Sequence, residues 1–106
     1  MPQNLTWSPA EKTIARRAYD EALETTLAAL MADFKLKASA VTTASELWEI
    51  EGYLREQRRE IDATFDYRYS QLLLVFAQLI RQGRLDESRL AGLAEDKREI
   101  IRRILS

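Results

Sequence analysis

The stretch "SPAEKTIARRAYDEALETTLAALMADFKLKASA", Ser8 to Ala40, decides the fold class. It contains no Gly, and its one Pro stands at the second position. Ser8, Pro9 and Glu11 form the start signal of a helix: an N-cap hydroxyl, a proline at the first helical position and a capping-box glutamate. No breaker follows until about Ala40, so the pattern predicts a single helix ~45 Å long at 1.5 Å per residue. Its expected buried stripe is Ile14, Ala18, Leu23, Leu27, Leu30, Phe34 and Val41, with Met31 and Ala38 beside it. From Leu27 onward the steps alternate near three and four, as in a coiled-coil seam. A small domain cannot wrap so long a rod in its own core, so part of it is expected to pack on another chain.

Outward from this rod the chain stays helical. "VTTASE" breaks the first helix, and Thr43 with Glu46 makes a second capping box. A second helix is predicted over roughly Ala44 to Thr64. "FDYRYS" (Phe65–Ser70) is dense in aromatics, and Asp66 is expected to cap a third helix through "YRYSQLLLVFAQLIRQ", which Gly83 ends. Leu72, Leu73, Leu74, Val75, Phe76, Leu79 and Ile80 make that helix apolar round most of its girth, the mark of a central buried element. Whether the second and third helices are separate or one bent rod stays open at this level. Asp86 is expected to cap a short turn through Leu90. A last helix is predicted from about Glu95 to Leu105, with Leu93, Ile100, Ile101 and Ile104 facing inward. The reading is an all-α single domain: an extended helical part over 1–64, a compact C-terminal head over 65–106, and a dimeric whole.

Composition narrows the function. The chain has 106 residues, 46% hydrophobic and 31% charged, with net charge −1. That is a globular balance, and it offers no overall positive field for nucleic acid. Cys and His are both absent, which removes thiol and imidazole chemistry and the usual zinc sites. The glutamates of "ELWEIEGYLREQRREID" (Glu46–Asp62) lack the His that a helical di-iron site expects. No nucleophile–base pair or Gly-rich phosphate loop is visible. The longest apolar run, Leu72 to Ala77, is far short of the ~20 residues that cross a bilayer. The expectation is a non-enzymatic, cofactor-free, cytoplasmic interaction protein with no membrane insertion and no nucleic-acid partner.

One residue breaks the amphipathic pattern of the second helix. Leu47, Ile50, Leu54 and Ile61 share a face, and Trp48 is not on it. Trp48 falls among Glu51, Gly52, Arg55, Arg58, Arg59 and Asp62, a charged stripe with a glycine one turn on. Two readings stand. Trp48 packs under the first helix beneath arginine stems, or it contacts another chain, since Trp and Arg are the types enriched in interface hot spots. Phe65, Tyr67 and Tyr69 are likewise either a stacking platform or the core of a helix junction.

The run "LWEIEGYLREQRREIDATFDYRYSQLLLVFAQLIRQGRL", continuing to "LAGLAEDK", resembles the cyanobacterial fluorescence recovery protein family. The marks are Trp48, the "RREID" block, Phe65-Asp66-Tyr67-Arg68-Tyr69-Ser70, and "VFAQLIRQGRL" from Val75. The resemblance covers more than half the chain in register. It implies an elongated all-α homodimer with a compact head. It also implies a regulator that binds the photoactivated orange carotenoid protein, chiefly through that protein's C-terminal domain, and speeds its return to the inactive orange form. Quenching at the phycobilisome then ends, which places the protein in the cytoplasm, at the thylakoid periphery in a cyanobacterium. The resemblance marks Trp48 and Arg58 as contact residues, with Leu74 and Phe76 as contact candidates in the head. The sequence departs from the family pattern at Glu51 and Gly52, where the family has a His and an Asp, and at Leu74, where an aromatic is expected. A helical dimer of this fold with a different protein partner, in a bacterium without phycobilisomes, is the alternative.

Overall fold

The computed structural model describes residues 5–106. Four α-helices follow in order: α1 (Pro9–Ser39), α2 (Ala44–Thr64), α3 (Leu72–Arg81) and α4 (Glu95–Leu105), with a short 3-10 turn over Glu87–Leu90. The described residues form no strand, so the all-α expectation holds. The molecule measures 53 × 25 × 24 Å, with a radius of gyration of 17.0 Å. A compact chain of this length has about 13 Å, so the fold is elongated.

Both capping boxes form as their sequences require. The Ser8 hydroxyl accepts from the Glu11 amide at 3.1 Å, and the Glu11 carboxylate accepts from the Ser8 amide at 3.0 Å. Thr43 and Glu46 repeat the pattern at the start of α2. There the Glu46 carboxylate also accepts from the Thr42 amide and hydroxyl. The Thr42 bonds chiefly hold its pKa below the usual carboxylate value. The two helices are separated by four residues, and α2 runs back along the outer half of α1 as an antiparallel hairpin.

Helices α2 and α3 are separate elements. The chain leaves α2 at Phe65 in extended geometry and turns through Arg68–Gln71 before α3 begins. Asp66 does not cap α3, as the sequence suggested. Its carboxylate is held by Arg68, Nε at 2.8 Å and Nη2 at 2.5 Å, and the N-cap position falls to Gln71 with no side-chain bond. An aspartate six residues ahead of the helix lies nearer the Arg68 guanidinium than the helix amides. At the other end Gly83 adopts φ +76°, and the Arg84 amide reaches back to the Leu79 carbonyl at 2.8 Å. This left-handed stop closes the helix without a Cβ penalty.

The core lies at one end. Its buried apolar residues are Trp7, Ala15, Ala18, Tyr19 and Ala22 from the start of the chain, packed with Leu72, Leu73, Val75, Phe76, Ala77 and Leu79 of α3 and with Leu85, Leu90, Leu93 and Ile101. The expected stripe along α1 is therefore corrected. Its buried positions are Glu11, Ala15, Ala18, Tyr19, Ala22 and Thr26. Leu27, Met31 and Phe34 are exposed, and Ile14 and Leu23 are only half-buried. Alanines let α3 approach closely, so the small side chains, not the leucines, mark the contact line. The first half of α1 belongs to the head, which is built from 5–26 as well as from 65–106. Only the hairpin of outer α1 and α2 projects from it as an arm.

Candidate functional site

The Trp48 face of α2 follows from helix geometry. The Tyr53 hydroxyl donates to the Asp33 carboxylate of α1, and the Lys37 ammonium lies 4.7 Å from the Tyr53 ring centroid. Tyr53 thus marks the side of α2 that faces α1. Trp48, five residues earlier, lies roughly 140° round the helix at ~100° per residue. Its side chain is 66% exposed. Packing of Trp48 under α1 is thereby ruled out within the chain, because α1 sits on the other side of the helix.

All seven residues of the predicted stripe are exposed: Trp48, Glu51, Gly52, Arg55, Arg58, Arg59 and Asp62. Their charges are satisfied within the helix. Arg55 pairs with Glu51, Arg59 with Glu56 at 3.0 Å, and Arg58 approaches Asp62 at 4.0 Å. Such exposed pairs contribute little to stability. They do hold three guanidiniums along the same face of α2 as the indole. A Cβ added at Gly52 would meet nothing within 4 Å, so the face is open there.

A second surface lies on the flank of the hairpin. Antiparallel pairing through Asp33 and Tyr53 brings Leu27, Leu30 and Phe34 of α1 to the same side as Leu47, Leu54 and Ile61 of α2. Leu27 is 40% exposed, Met31 57% and Leu47 50%. The 3-4 spacing seen in α1 therefore reads as an outward seam. A shallow cavity of about 290 Å³ opens near the hairpin turn, lined by Lys37, Val41, Glu46, Glu49, Ile50 and Tyr53.

The head presents one of its two expected contact residues. Leu74 is exposed, whereas Phe76 is wholly enclosed in the core. Phe76 is corrected from a surface candidate to a packing residue, since α3 turns it inward against α1 and α4. The aromatic run is the core of a junction. Tyr19 meets Phe65 and Tyr67 edge-on at 5.4 and 4.8 Å, and Tyr69 contacts Trp7 at 5.3 Å. Arg16 covers Tyr67 at 4.5 Å. Burial pushes the Tyr19 and Tyr67 hydroxyls above their usual pKa.

Sequence reasoning missed a buried ion pair. Lys97 donates to the Thr6 carbonyl at 2.7 Å and to Glu11 at 3.2 Å, beneath the Trp7 ring at 5.2 Å. The same Glu11 carboxylate accepts the Ala94 amide at 2.8 Å, capping α4, which has no cap of its own. The Ser8 and Ala94 amides, with help from Lys97 and against its burial, hold the Glu11 pKa down to about 2. One signal was available: a capping-box glutamate with a lysine near the start of a helix whose N-cap is alanine. The separation of 86 residues hid the pairing.

Among the described residues no cluster of three or more His, Cys, Asp or Glu is placed to hold a metal. No described helix is long and apolar enough to cross a membrane. The arrangement offers surfaces for recognition.

Comparison with known proteins places this geometry. The family profile described as photoprotection regulator fluorescence recovery protein matches residues 7–105. A curated relative, the fluorescence recovery protein of Synechocystis sp. strain PCC 6803, is 35% identical over 96 residues, spanning 91% of this chain and 88% of that one. The solved structure of the Fremyella diplosiphon fluorescence recovery protein superposes with a TM-score of 0.89 at 36% identity, covering 93% of this chain and 97% of that one. The Synechocystis structure gives a TM-score of 0.89 at 34% identity over the same shares.

Proposed function

Because the chain belongs to the fluorescence recovery protein family, a family of photoprotection regulators, we propose that it binds the photoactivated form of an orange carotenoid protein or a relative. It then accelerates that partner's return to the inactive orange state. The single observation that supports this reading is the exposure of Trp48 on the side of α2 turned away from α1, among Arg55, Arg58 and Arg59. A solvated indole on a helix costs stability and earns nothing for the fold. It is the kind of residue that anchors a partner surface. The physics of the activity is differential binding: a regulator that binds the path back to the closed partner more tightly than the active state speeds the return. The acting unit is a homodimer, with the leucine flank of the hairpin covered by a second copy. The partner site is expected on the partner's C-terminal domain, and Leu74 of the head is the further contact candidate.

The test is direct. Adding the protein to photoactivated orange carotenoid protein in the dark speeds the red-to-orange recovery, and the two co-elute. Unchanged recovery together with an unchanged elution profile refutes this partner. A second reading keeps the fold and assigns a different protein partner. It is favoured by Glu51, which occupies Arg55 within the helix, and by Gly52, which offers no side chain. Recovery left untouched, with co-elution of a product encoded beside this gene in the host, supports that second reading. Cytoplasmic placement, at the thylakoid periphery in a cyanobacterial host, follows from the same proposal.

A further inference from the structure

The arm that carries Trp48 has almost no core of its own. None of the fifteen apolar residues of the buried cluster comes from residues 27–64, and α2 buries no residue at all over its 21 positions. Its link to α1 is chiefly polar: the Tyr53–Asp33 hydrogen bond, the Lys37 ammonium over the Tyr53 ring, and the Lys37–Asp33 pair at 3.9 Å. Beside them Ile50, Leu54 and Ile61 are only half-buried. The head, by contrast, encloses Phe76, Leu72, Leu79, Leu90 and Ile101 completely or nearly so.

We infer that α2 folds stably only on association, so that a second copy of this chain switches the Trp48 surface on. Helices in proteins draw most of their stability from packing an apolar face rather than from intrinsic propensity. Here that face, Leu47, Leu54 and Ile61 beside Leu27, Leu30 and Phe34, stays open in one copy. Gly52, with nothing near its Cβ position, lowers the intrinsic helix stability of α2 further relative to alanine. The outer half of α1 is tethered to the head through its own helix. Helix α2 has no such anchor: it is joined to a four-residue turn at one end and to the extended Phe65 at the other. Order in α2 is therefore the low-stability unit of the fold, and protomer concentration sets it. The occupant is a second copy because the open seam has a 3-4 spacing continued across two helices of one hairpin, the pattern that self-associating helices bury.

This inference rests on the homodimer reading above, and the experiment separates the two. Amide hydrogen exchange is measured on the full chain over a dilution series and on the double variant Leu27→Glu/Met31→Glu, with light scattering recording the oligomeric state. Both substitutions lie on α1 at exposed positions, so neither alters α2 directly. The expected result is that exchange in 44–64 speeds up by ~100-fold or more in the monomer, while α3 amides change by less than ~3-fold. Protection of α2 that survives in the monomer overturns the inference. Should the wild-type chain itself be monomeric at all concentrations, the dimer reading falls, and so does a switch operated by a second copy.

Discussion

Replacing Glu11 tests the buried knot that joins the start of the chain to α4. Glu11→Ala removes three interactions at once: the acceptor for the Ser8 amide, the cap on the Ala94 amide, and the counter-charge of Lys97. The side chain of Lys97 is 3% exposed, so its ammonium is left with the Thr6 carbonyl, the Trp7 ring and the more distant, solvated Asp96 carboxylate at 4.0 Å. Breaking a buried pair by deleting one partner costs about 3–5 kcal/mol. The retained carbonyl places this case near 3–4, against total stabilities of about 5–15 kcal/mol. Lys97→Met is milder, about 1–2 kcal/mol, because Glu11 keeps two amide donors. The double variant Glu11→Ala/Lys97→Met buries no charge, and its cost falls below the sum of the two single substitutions by about 2 kcal/mol. Urea unfolding at fixed protomer concentration and pH 7 reads these as midpoint shifts at constant slope. The same knot predicts a pH dependence. The folded pKa of Glu11 is about 2, below its ordinary 4.5, so its contribution is complete above pH 4.5. It is lost as pH falls toward 2, because the unfolded chain takes up the proton first. Glu11→Gln removes that component of the acid sensitivity. The reasoning is refuted if Glu11→Ala costs less than about 1 kcal/mol, or if the double variant's cost equals the sum within ~0.5.

Three further outcomes follow from the same geometry. Trp48→Ala changes folding stability by less than about 0.5 kcal/mol, since the indole is solvated, yet weakens partner binding by about 2 kcal/mol or more; melting curves beside a binding titration check both halves. Phe76→Ala, at a wholly buried site, costs about 3–5 kcal/mol, with the loss read in the unfolding midpoint. Hydrogen bonding to Asp33 raises the Tyr53 pKa above 10, so its contribution is intact below pH 10 and is lost as pH rises through the folded value; a pH series on α2 protection shows this alkaline loss in the wild type and not in Tyr53→Phe.

The sequence by itself determined the helical elements and most of their ends, but not the start of α3, where Arg68 holds the Asp66 carboxylate. Ser8, Pro9 and Glu11, Thr43 and Glu46, Asp86, and Gly83 act on amides and carbonyls within a few residues, so start and stop signals are local and legible. The all-α class and the Trp48 stripe were legible for the same reason: each depends on spacing along one helix. Tertiary structure alone decided which faces are covered. Alanines 15, 18 and 22 line the buried side of α1, because the helix that packs there comes closest where side chains are smallest. The larger Leu27, Met31 and Phe34 lie beyond the reach of the head and remain open. Leu74 and Phe76, two residues apart on one helix, were alike in sequence and are opposite in the fold: one faces solvent and one is enclosed. Trp7 and the Glu11–Lys97 pair were hidden for a further reason. A buried charge is tolerated only where a partner from elsewhere in the chain meets it, and no pattern within a single helix records which partner that is.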